Sequence, residues 1–311
     1  MAPTGVLLMT FGSAVTSADV PAYLQSVRGG REVPEDIVAE FERRYDVIGR
    51  SPLIDITLQQ ASALQQVLDA EHGGGAFSVR AGMLHSAPRI ADAARELVDC
   101  GARSVVAVVL APQYSPIILA GYERALLGIR AEHPDVDFQL AGAWHELPEW
   151  IESLGARLQA TLTELAAGDK APVIFTAHSL PRSVVDRDPA YIDQLRDTAA
   201  AVAAHAGLEP DRWQFAYQSA GHTPEPWLTP DVKDLLPALR DRGVHTVVVA
   251  PVQFLADHLE VLYDIDVAAA DEARSCGIEL RRIEMLNTSP GLIAALAAVV
   301  QRELRAAAAV S

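Results

Sequence analysis

The sequence predicts an α/β protein made of two doubly wound halves, each with a parallel sheet flanked by helices. Three observations support this prediction. Short apolar segments alternate with helical ones, the apolar segments lack a polar alternation, and similar numbers of them fall on either side of residue 145. Strands that are apolar throughout are typical of sheets covered on both faces. The intervening helical segments indicate that helices provide the cover.

The predicted strands are short and rich in β-branched residues, at residues 5–11, 77–83, 104–112, 136–141, 172–177, 213–218, 246–251 and 278–282. Longer helical stretches lie between them, at residues 35–46, 58–71, 87–99, 146–167, 189–206, 230–241, 257–275 and 290–307. The segment 142–148 interrupts this pattern with Trp144, His145 and Pro148 and is interpreted as a hinge. We therefore expect domains at residues 1–145 and 146–311.

Composition excludes several classes of function. The formal net charge of −16 argues against nucleic-acid partners, which need a basic surface. Cys100 and Cys276 lack the spacing of a cysteine metal site, so we expect neither an iron–sulfur cluster nor structural zinc. The first residues do not resemble a secretory signal, and no apolar run approaches the roughly 20 residues of a spanning helix. These features predict a cytoplasmic protein without stable membrane insertion.

Motifs for nucleotide binding and serine hydrolysis are missing from the sequence: it contains no GxGxxG after a strand, no GxxxxGK[ST] and no GxSxG. Doubly wound sheets bind ligands at the carboxyl ends of their strands. The residues expected to matter most therefore follow the predicted strands directly, at 11–13, 84–85, 113–115, 178–181, 219–222 and 253–258.

A histidine and a row of acids stand out at these positions. His178 ends the predicted strand 172–177. At about 100° per residue, the helix predicted from residue 257 places four acids on one face and His258 on the other; the acids are Asp257, Glu260, Asp264 and Asp271. Such a row is either a solvated surface or a path for a hard divalent cation. With His178 in the same cleft, it indicates proton transfer or metal handling.

Short motifs then identify a family. In chain order they are LLMTFGS (7–13), VRGGR (27–31), SPL (51–53), LAPQYS (110–115), TAHSLP (176–181), YQS (217–219), PWL (226–228) and ADHLEVLYD (256–264). Together they resemble the ferrochelatase family, from residue 7 to about residue 300. The resemblance implies two Rossmann-like, chelatase-type domains with a porphyrin cleft between them, and a lyase that inserts Fe²⁺ into the porphyrin. Iron is then a substrate, and no bound cofactor is expected.

The resemblance also implies roles for individual residues. His178 and Glu260 correspond to the catalytic pair that faces the macrocycle centre, and Asp264 joins them in a path for the metal or for protons. A neutral imidazole suits proton removal and metal delivery alike. The expected substrate contacts are Phe11, Arg28, Arg31, Ser51 and Tyr122. The two arginines are expected to pair with the propionates of the porphyrin, because guanidinium groups bind carboxylates bidentately.

Three positions depart from the family pattern. Phe11 stands where coproporphyrin-type relatives often carry a tyrosine, Gly29 where some carry an arginine, and Ala268 where an acid often extends the row. We hypothesise that Asp271 replaces the acid missing at position 268. Phenylalanine has no oxygen, so residue 11 cannot ligate iron.

The substrate and some alternatives stay open at this level. Coproporphyrin III is favoured over protoporphyrin IX by resemblance to the compact bacterial type. The alternatives are a chelatase for another tetrapyrrole or metal, which usually presents a second histidine where Glu260 stands, and a non-catalytic haem or porphyrin carrier. A monomer is expected, with transient contacts to enzymes of the haem pathway.

Overall fold

The computed structural model describes residues 2–165, 170–221 and 223–310, and it describes Val310 by its backbone only. Residues 166 and 167, at the end of the predicted helix 146–167, lie outside the described residues, as does His222.

All eight predicted strands are present, with bounds within three residues of those expected. They are β1 (Thr4–Thr10), β2 (Phe77–Met83), β3 (Ser104–Val109), β4 (Asp137–Leu140), β5 (Val173–His178), β6 (Trp213–Gln218), β7 (Thr246–Pro251) and β8 (Glu279–Arg282). The central strands are almost wholly buried, and every residue of β7 is buried. This burial explains why these strands are apolar throughout.

The strands form two parallel sheets with matching topology. The first has the order β2-β1-β3-β4 and the second β6-β5-β7-β8. Both sheets are flanked by helices, which confirms the predicted fold class. In each sheet the strand order reverses beside the first strand, between β1 and β3 and between β5 and β7. Such reversals open a crevice at the carboxyl ends of the strands, where ligands bind.

The helices are α1 (Val20–Val27), α2 (Glu35–Ile48), α3 (Leu53–His72), α4 (Ile90–Asp99), α5 (Ala120–Glu132), α6 (Pro148–Thr163), α7 (Arg182–Val185), α8 (Ala190–His205), α9 (Val232–Asp241), α10 (Ala270–Ser275) and α11 (Pro290–Val310). The prediction missed α1, α5 and the short α7. It also placed a single α-helix at 257–275, whereas the structure has a π-helix at Glu260–Ala269 that leads into α10. No helix of the described ranges is both long and apolar enough to cross a bilayer.

The two halves share a continuous hydrophobic core. It includes Leu64 of α3, Phe175 of β5 and Leu296 of α11, all fully buried. The C-terminal helix also bonds to the first half, because Arg302 donates to the carbonyl oxygen of Ala143 at 2.8 Å. The domain boundary between residues 145 and 146 stays a prediction, and α11 shows that the halves are not separate cores.

Candidate active site

A cavity of about 480 Å³ lies where the two sheets present the carboxyl ends of their strands. The first half contributes residues that follow β1 and β3, among them Phe11, Gly12, Ser13 and Ala111. The second half contributes His178 at the end of β5, Ser219 after β6, and residues 253–256 after β7. Its size and its mainly apolar lining with a few polar groups are typical of small-molecule sites.

His178 and Glu260 meet in this cavity. The Nδ1 atom of His178 lies 2.8 Å from the Oε2 atom of Glu260. A hydrogen bond of the main chain holds His178 in position, because its backbone N–H donates to Oε1 of Gln253 at 2.7 Å. Gln253 in turn donates to the hydroxyl of Tyr191 at 2.7 Å. The predicted pair is therefore brought together by the end of β5 and the first residue of the π-helix.

The pair shifts the titration of both members. Burial disfavours the charged imidazole, but the adjacent Glu260 carboxylate outweighs burial and raises the pKa of His178 above its usual range. Burial likewise disfavours the Glu260 carboxylate, and His178 reverses that effect and holds the pKa of Glu260 well below its usual range. The pair is thus an imidazolium next to a carboxylate at mildly acidic pH.

Asp264 lies one turn further along the π-helix with both oxygens engaged. Ser219 Oγ donates to Oδ2, and Nη1 of Arg44 lies 3.3 Å from Oδ1. Burial and the neighbouring Glu260 raise the pKa of Asp264, against the Ser219 hydrogen bond and Arg44. Among the described residues, no three His, Cys, Asp or Glu side chains converge as a metal centre. His178, Glu260 and Asp264 therefore do not converge as a three-ligand site in the described part of the chain, and their role as a path stays a prediction.

The π-helix overturns the predicted acidic face. An α-helical wheel places His258 opposite Glu260, but the helix begins only after His258, which lines the same cavity. Asp257 lies before the helix and is held by the side-chain amide of Asn287 at 2.8 Å. The wheel fails because i→i+5 hydrogen bonds change the angle between successive residues.

Asp271 does not replace the acid missing at position 268. Its side chain is 63 % exposed and pairs with Arg274 on the surface of α10. Ala268 packs against the apolar cluster between α1, α2 and the π-helix, where a carboxylate would be desolvated. Beyond Asp264 the structure instead places Arg44, which is also bound to Glu40 at 2.9 Å.

Two of the predicted substrate contacts line the cavity. Phe11 is 43 % exposed there, and its ring packs on the His85 ring with centroids 4.5 Å apart. Tyr122 contributes a buried phenol to the same wall, and burial raises the pKa of Tyr122 above its usual range. The structure thus brings Phe11 and Tyr122 to the cavity that holds His178.

The other three predicted contacts lie outside the cavity lining. Arg28 and Arg31 follow α1 on the surface, where Nε of Arg31 donates to the Arg28 carbonyl oxygen at 3.0 Å. Ser51 is only 1 % exposed and accepts a hydrogen bond from Ser13 Oγ at 2.9 Å. Ser13, which bonds to Ser51, lines the cavity and Ser51 does not, so the substrate contact of Ser51 stays a prediction.

Sequence reasoning missed several cavity residues on α1 and α2. Tyr23, which is partly buried, and Tyr45, which is buried, belong to the lining, and Arg44 is the cation beside Asp264. Phe41, Arg44 and Tyr45 are spaced three and four residues apart on α2, which places them on one helix face. That spacing was a usable signal, whereas α1 itself was not predicted.

Comparisons with known proteins agree with this geometry. A family model described as ferrochelatase matches residues 3–304. The chain is 38 % identical over 305 residues to a ferrochelatase from Deinococcus radiodurans, covering 97 % of this chain and 96 % of that protein. It is 35 % identical over 302 residues to a coproporphyrin III ferrochelatase from Halalkalibacterium halodurans, with 96 % and 97 % covered.

Solved structures share the fold at low identity. SirB from Bacillus subtilis with Fe³⁺ superposes with a TM-score of 0.59 at 12 % identity, covering 96 % of this chain and 94 % of that one. CbiX, described as the terminal enzyme of sirohaem biosynthesis in denitrifying bacteria, gives 0.55 at 14 % identity, with 96 % and 98 % covered. These likenesses support the two-domain chelatase architecture. The family match and the sequence relatives go further, and the chain belongs to the ferrochelatase family.

Proposed function

We propose that this ferrochelatase inserts Fe²⁺ into coproporphyrin III in preference to protoporphyrin IX, with His178 and Glu260 as the catalytic pair. The observation that carries the proposal is the 2.8 Å contact between His178 Nδ1 and Glu260 Oε2 inside the cavity between the two sheets. Metal insertion needs a proton acceptor and an anionic oxygen at one point. This pair supplies both.

The reaction requires two pyrrole protons to leave the macrocycle as Fe²⁺ enters, so that charge balances. In the proposed mechanism neutral His178 accepts the two pyrrole protons in succession at Nε2, since Nδ1 faces Glu260, and it passes the first proton through Glu260 and Asp264 towards solvent before it accepts the second. The Glu260 carboxylate stabilises the imidazolium that forms, the same effect that raises the pKa of His178 in the free protein. Asp264 continues the path away from the pair, and Glu260 offers an oxygen to iron as the metal loses water.

The proposed porphyrin contacts divide between the cavity and its surroundings. Phe11 and Tyr122 offer an aromatic surface to the macrocycle. Arg28, partly buried, and Arg31, exposed, lie outside the cavity and are proposed to reach propionates through their long side chains. Coproporphyrin III carries more propionates than protoporphyrin IX and therefore gains more from such cations.

The relatives bear on the choice of porphyrin without deciding it. Proteins named coproporphyrin III ferrochelatase are 35 % identical to this chain, and others at similar identity are named ferrochelatase only. We propose coproporphyrin III because some of these relatives carry that name and because of the basic residues Arg28 and Arg31.

An anaerobic insertion assay tests the proposal. The protein is mixed with Fe²⁺ and either coproporphyrin III or protoporphyrin IX, and metal insertion is followed by absorbance. We expect acceleration over the protein-free reaction, with a higher kcat/KM for coproporphyrin III. A higher value for protoporphyrin IX would overturn the preference. Porphyrin binding without acceleration would indicate a carrier, and acceleration only with another tetrapyrrole or metal would indicate a different chelatase.

A further inference from the structure

Asn287 combines two uncommon features. It is the only asparagine in the sequence, and its backbone lies in the left-handed region with φ of 49°. In the described part of the chain, Ser219 at the cavity is the other non-glycine residue with positive φ. Side chains with a Cβ atom seldom adopt this conformation, and asparagine tolerates it better than most. Such residues persist only where the surrounding structure holds them.

The backbone of Asn287 is bonded to the cavity wall of both halves. Its N–H donates to the carbonyl oxygen of Leu255 at 2.8 Å, and its carbonyl oxygen accepts from Nε2 of Gln60 at 2.6 Å. Leu255 follows β7 in the second half, Gln60 belongs to α3 in the first half, and both line the cavity. The left-handed turn at residue 287 therefore connects the two halves at the cavity.

The side chain of Asn287 holds Asp257. Its Oδ1 accepts from the backbone N–H of Asp257 at 2.9 Å, and its Nδ2 donates to Oδ2 of Asp257 at 2.8 Å. This contact needs an acceptor and a donor on one short side chain, which an amide provides and a carboxylate does not. Glycine would adopt the left-handed backbone but has no side chain. Asparagine thus meets the backbone and the side-chain requirement together.

These bonds anchor the segment that leads into the π-helix. The helix begins at Glu260, three residues after Asp257. Further along, Arg282 at the end of β8 bonds to both carboxylate oxygens of Asp266 in the π-helix, at 2.7 and 2.8 Å, and its Nη2 lies 3.3 Å from Oδ1 of Asp257. The entry to the π-helix is therefore held by Asn287, and the helix itself by Arg282.

We propose that Asn287 is a positioning residue that fixes the start of the π-helix and so brings Glu260 to its 2.8 Å contact with His178. The inference rests on the proposed function, because it takes His178 and Glu260 as the catalytic pair. His178 is held separately, by the hydrogen bond from its N–H to Gln253. Loss of the Asn287 amide should therefore displace Glu260 and leave His178 in place, which slows proton transfer without weakening porphyrin binding.

The test is a double-mutant cycle on Fe²⁺ insertion into the porphyrin that the wild type turns over. Asn287→Gly suits the left-handed backbone and removes the amide. We expect its kcat to fall at least about tenfold while the KM for the porphyrin stays within about twofold, because a misplaced catalytic group costs rate rather than binding. In a Glu260→Gln background the same substitution should lower kcat less than about twofold, because the carboxylate that it positions is gone.

A rescue experiment tests the two hydrogen bonds themselves. Asn287→Asp sets two carboxylates against each other and should lower kcat at least as much as Asn287→Gly. Adding Asp257→Asn returns a donor and an acceptor to the contact, with the amide now on residue 257, and should restore kcat to within about threefold of the wild type. The control is Gln159→Ala, which removes a surface amide that donates to the His205 carbonyl oxygen at 3.1 Å and should leave kcat unchanged.

Three results would each overturn the role of Asn287. They are a wild-type kcat in Asn287→Gly, an equal fold loss from Asn287→Gly in the Glu260→Gln background, and no recovery when Asp257→Asn is added to Asn287→Asp. Iron insertion by Glu260→Gln alone at the wild-type rate would instead contradict the proposed catalytic pair, so the two failures are distinguishable.

Discussion

Replacing Glu260 by glutamine tests the electrostatic interaction between Glu260 and His178, because the substitution removes the carboxylate charge and keeps the shape of the side chain. The two side chains are 29 % and 34 % exposed and 2.8 Å apart. Exposed ion pairs contribute about 0–1 kcal/mol, and breaking a buried pair costs about 3–5 kcal/mol. With about a third of each side chain exposed, we expect Glu260→Gln to lower the free energy of unfolding by about 2 kcal/mol at pH 5.5.

The pH dependence of this loss follows from the raised pKa of His178. A group whose pKa is raised by folding contributes stability that is present below its unfolded pKa and disappears as pH rises through its folded pKa. The Glu260 carboxylate stays ionised at pH 5.5, since its pKa is lowered by His178. The difference between wild type and Glu260→Gln should therefore shrink to under about 1 kcal/mol as pH rises through the raised pKa of His178 and the imidazole loses its proton.

Two measurements check these expectations on the porphyrin-free protein. Urea unfolding at pH 5.5 and 9 gives the free energies, and NMR titration of the His178 imidazole should show its pKa falling in Glu260→Gln. The matched control is Glu96→Gln, which breaks the exposed 2.8 Å pair with Arg80 and should cost under about 1 kcal/mol at either pH. An unchanged or higher pKa of His178 in Glu260→Gln would refute the reasoning.

Three further substitutions test the packing at Gly12 and the surface position of Asp271. Gly12→Ala should cost about 2 kcal/mol or more in urea unfolding, because φ is +91° and a Cβ would lie 2.6 Å from Ser86 Oγ. Gly49→Ala, with φ of +76° and open space around it, should cost only about 1 kcal/mol, and equal losses would contradict the steric argument. Asp271→Ala should leave iron insertion unchanged, since Asp271 pairs with Arg274 at the surface, and a severalfold loss of rate would show that it belongs to the metal path.

The sheets could be predicted because burial on both faces leaves a clear mark on the sequence. β7 is buried at every position, and its six residues are apolar or β-branched. The missed helices carry weaker signals. Helix α5 contains Gly121 and Gly128, which lower helix propensity. Helix α1 has only eight residues, too few for a repeated apolar spacing.

The candidate site was predictable where it depends on strand ends and not where it depends on the π-helix. His178 follows from the position of a strand, and the structure places it in the cavity. The side of His258 and the proposed role of Asp271 were wrong because both assumed α-helical geometry. Arg44 could not be placed beside Asp264, because the two are 220 residues apart in the sequence and meet only through tertiary packing.

The most direct test of the central claim is anaerobic insertion of Fe²⁺ into coproporphyrin III by His178→Ala. The control is His245→Ala, which removes an exposed imidazole at the amino end of β7, the end opposite the cavity, and His245 is not among the cavity-lining residues. We expect His178→Ala to lose at least about 100-fold in kcat while its circular dichroism spectrum stays native, and His245→Ala to match the wild type. Near-normal turnover by His178→Ala would contradict the account.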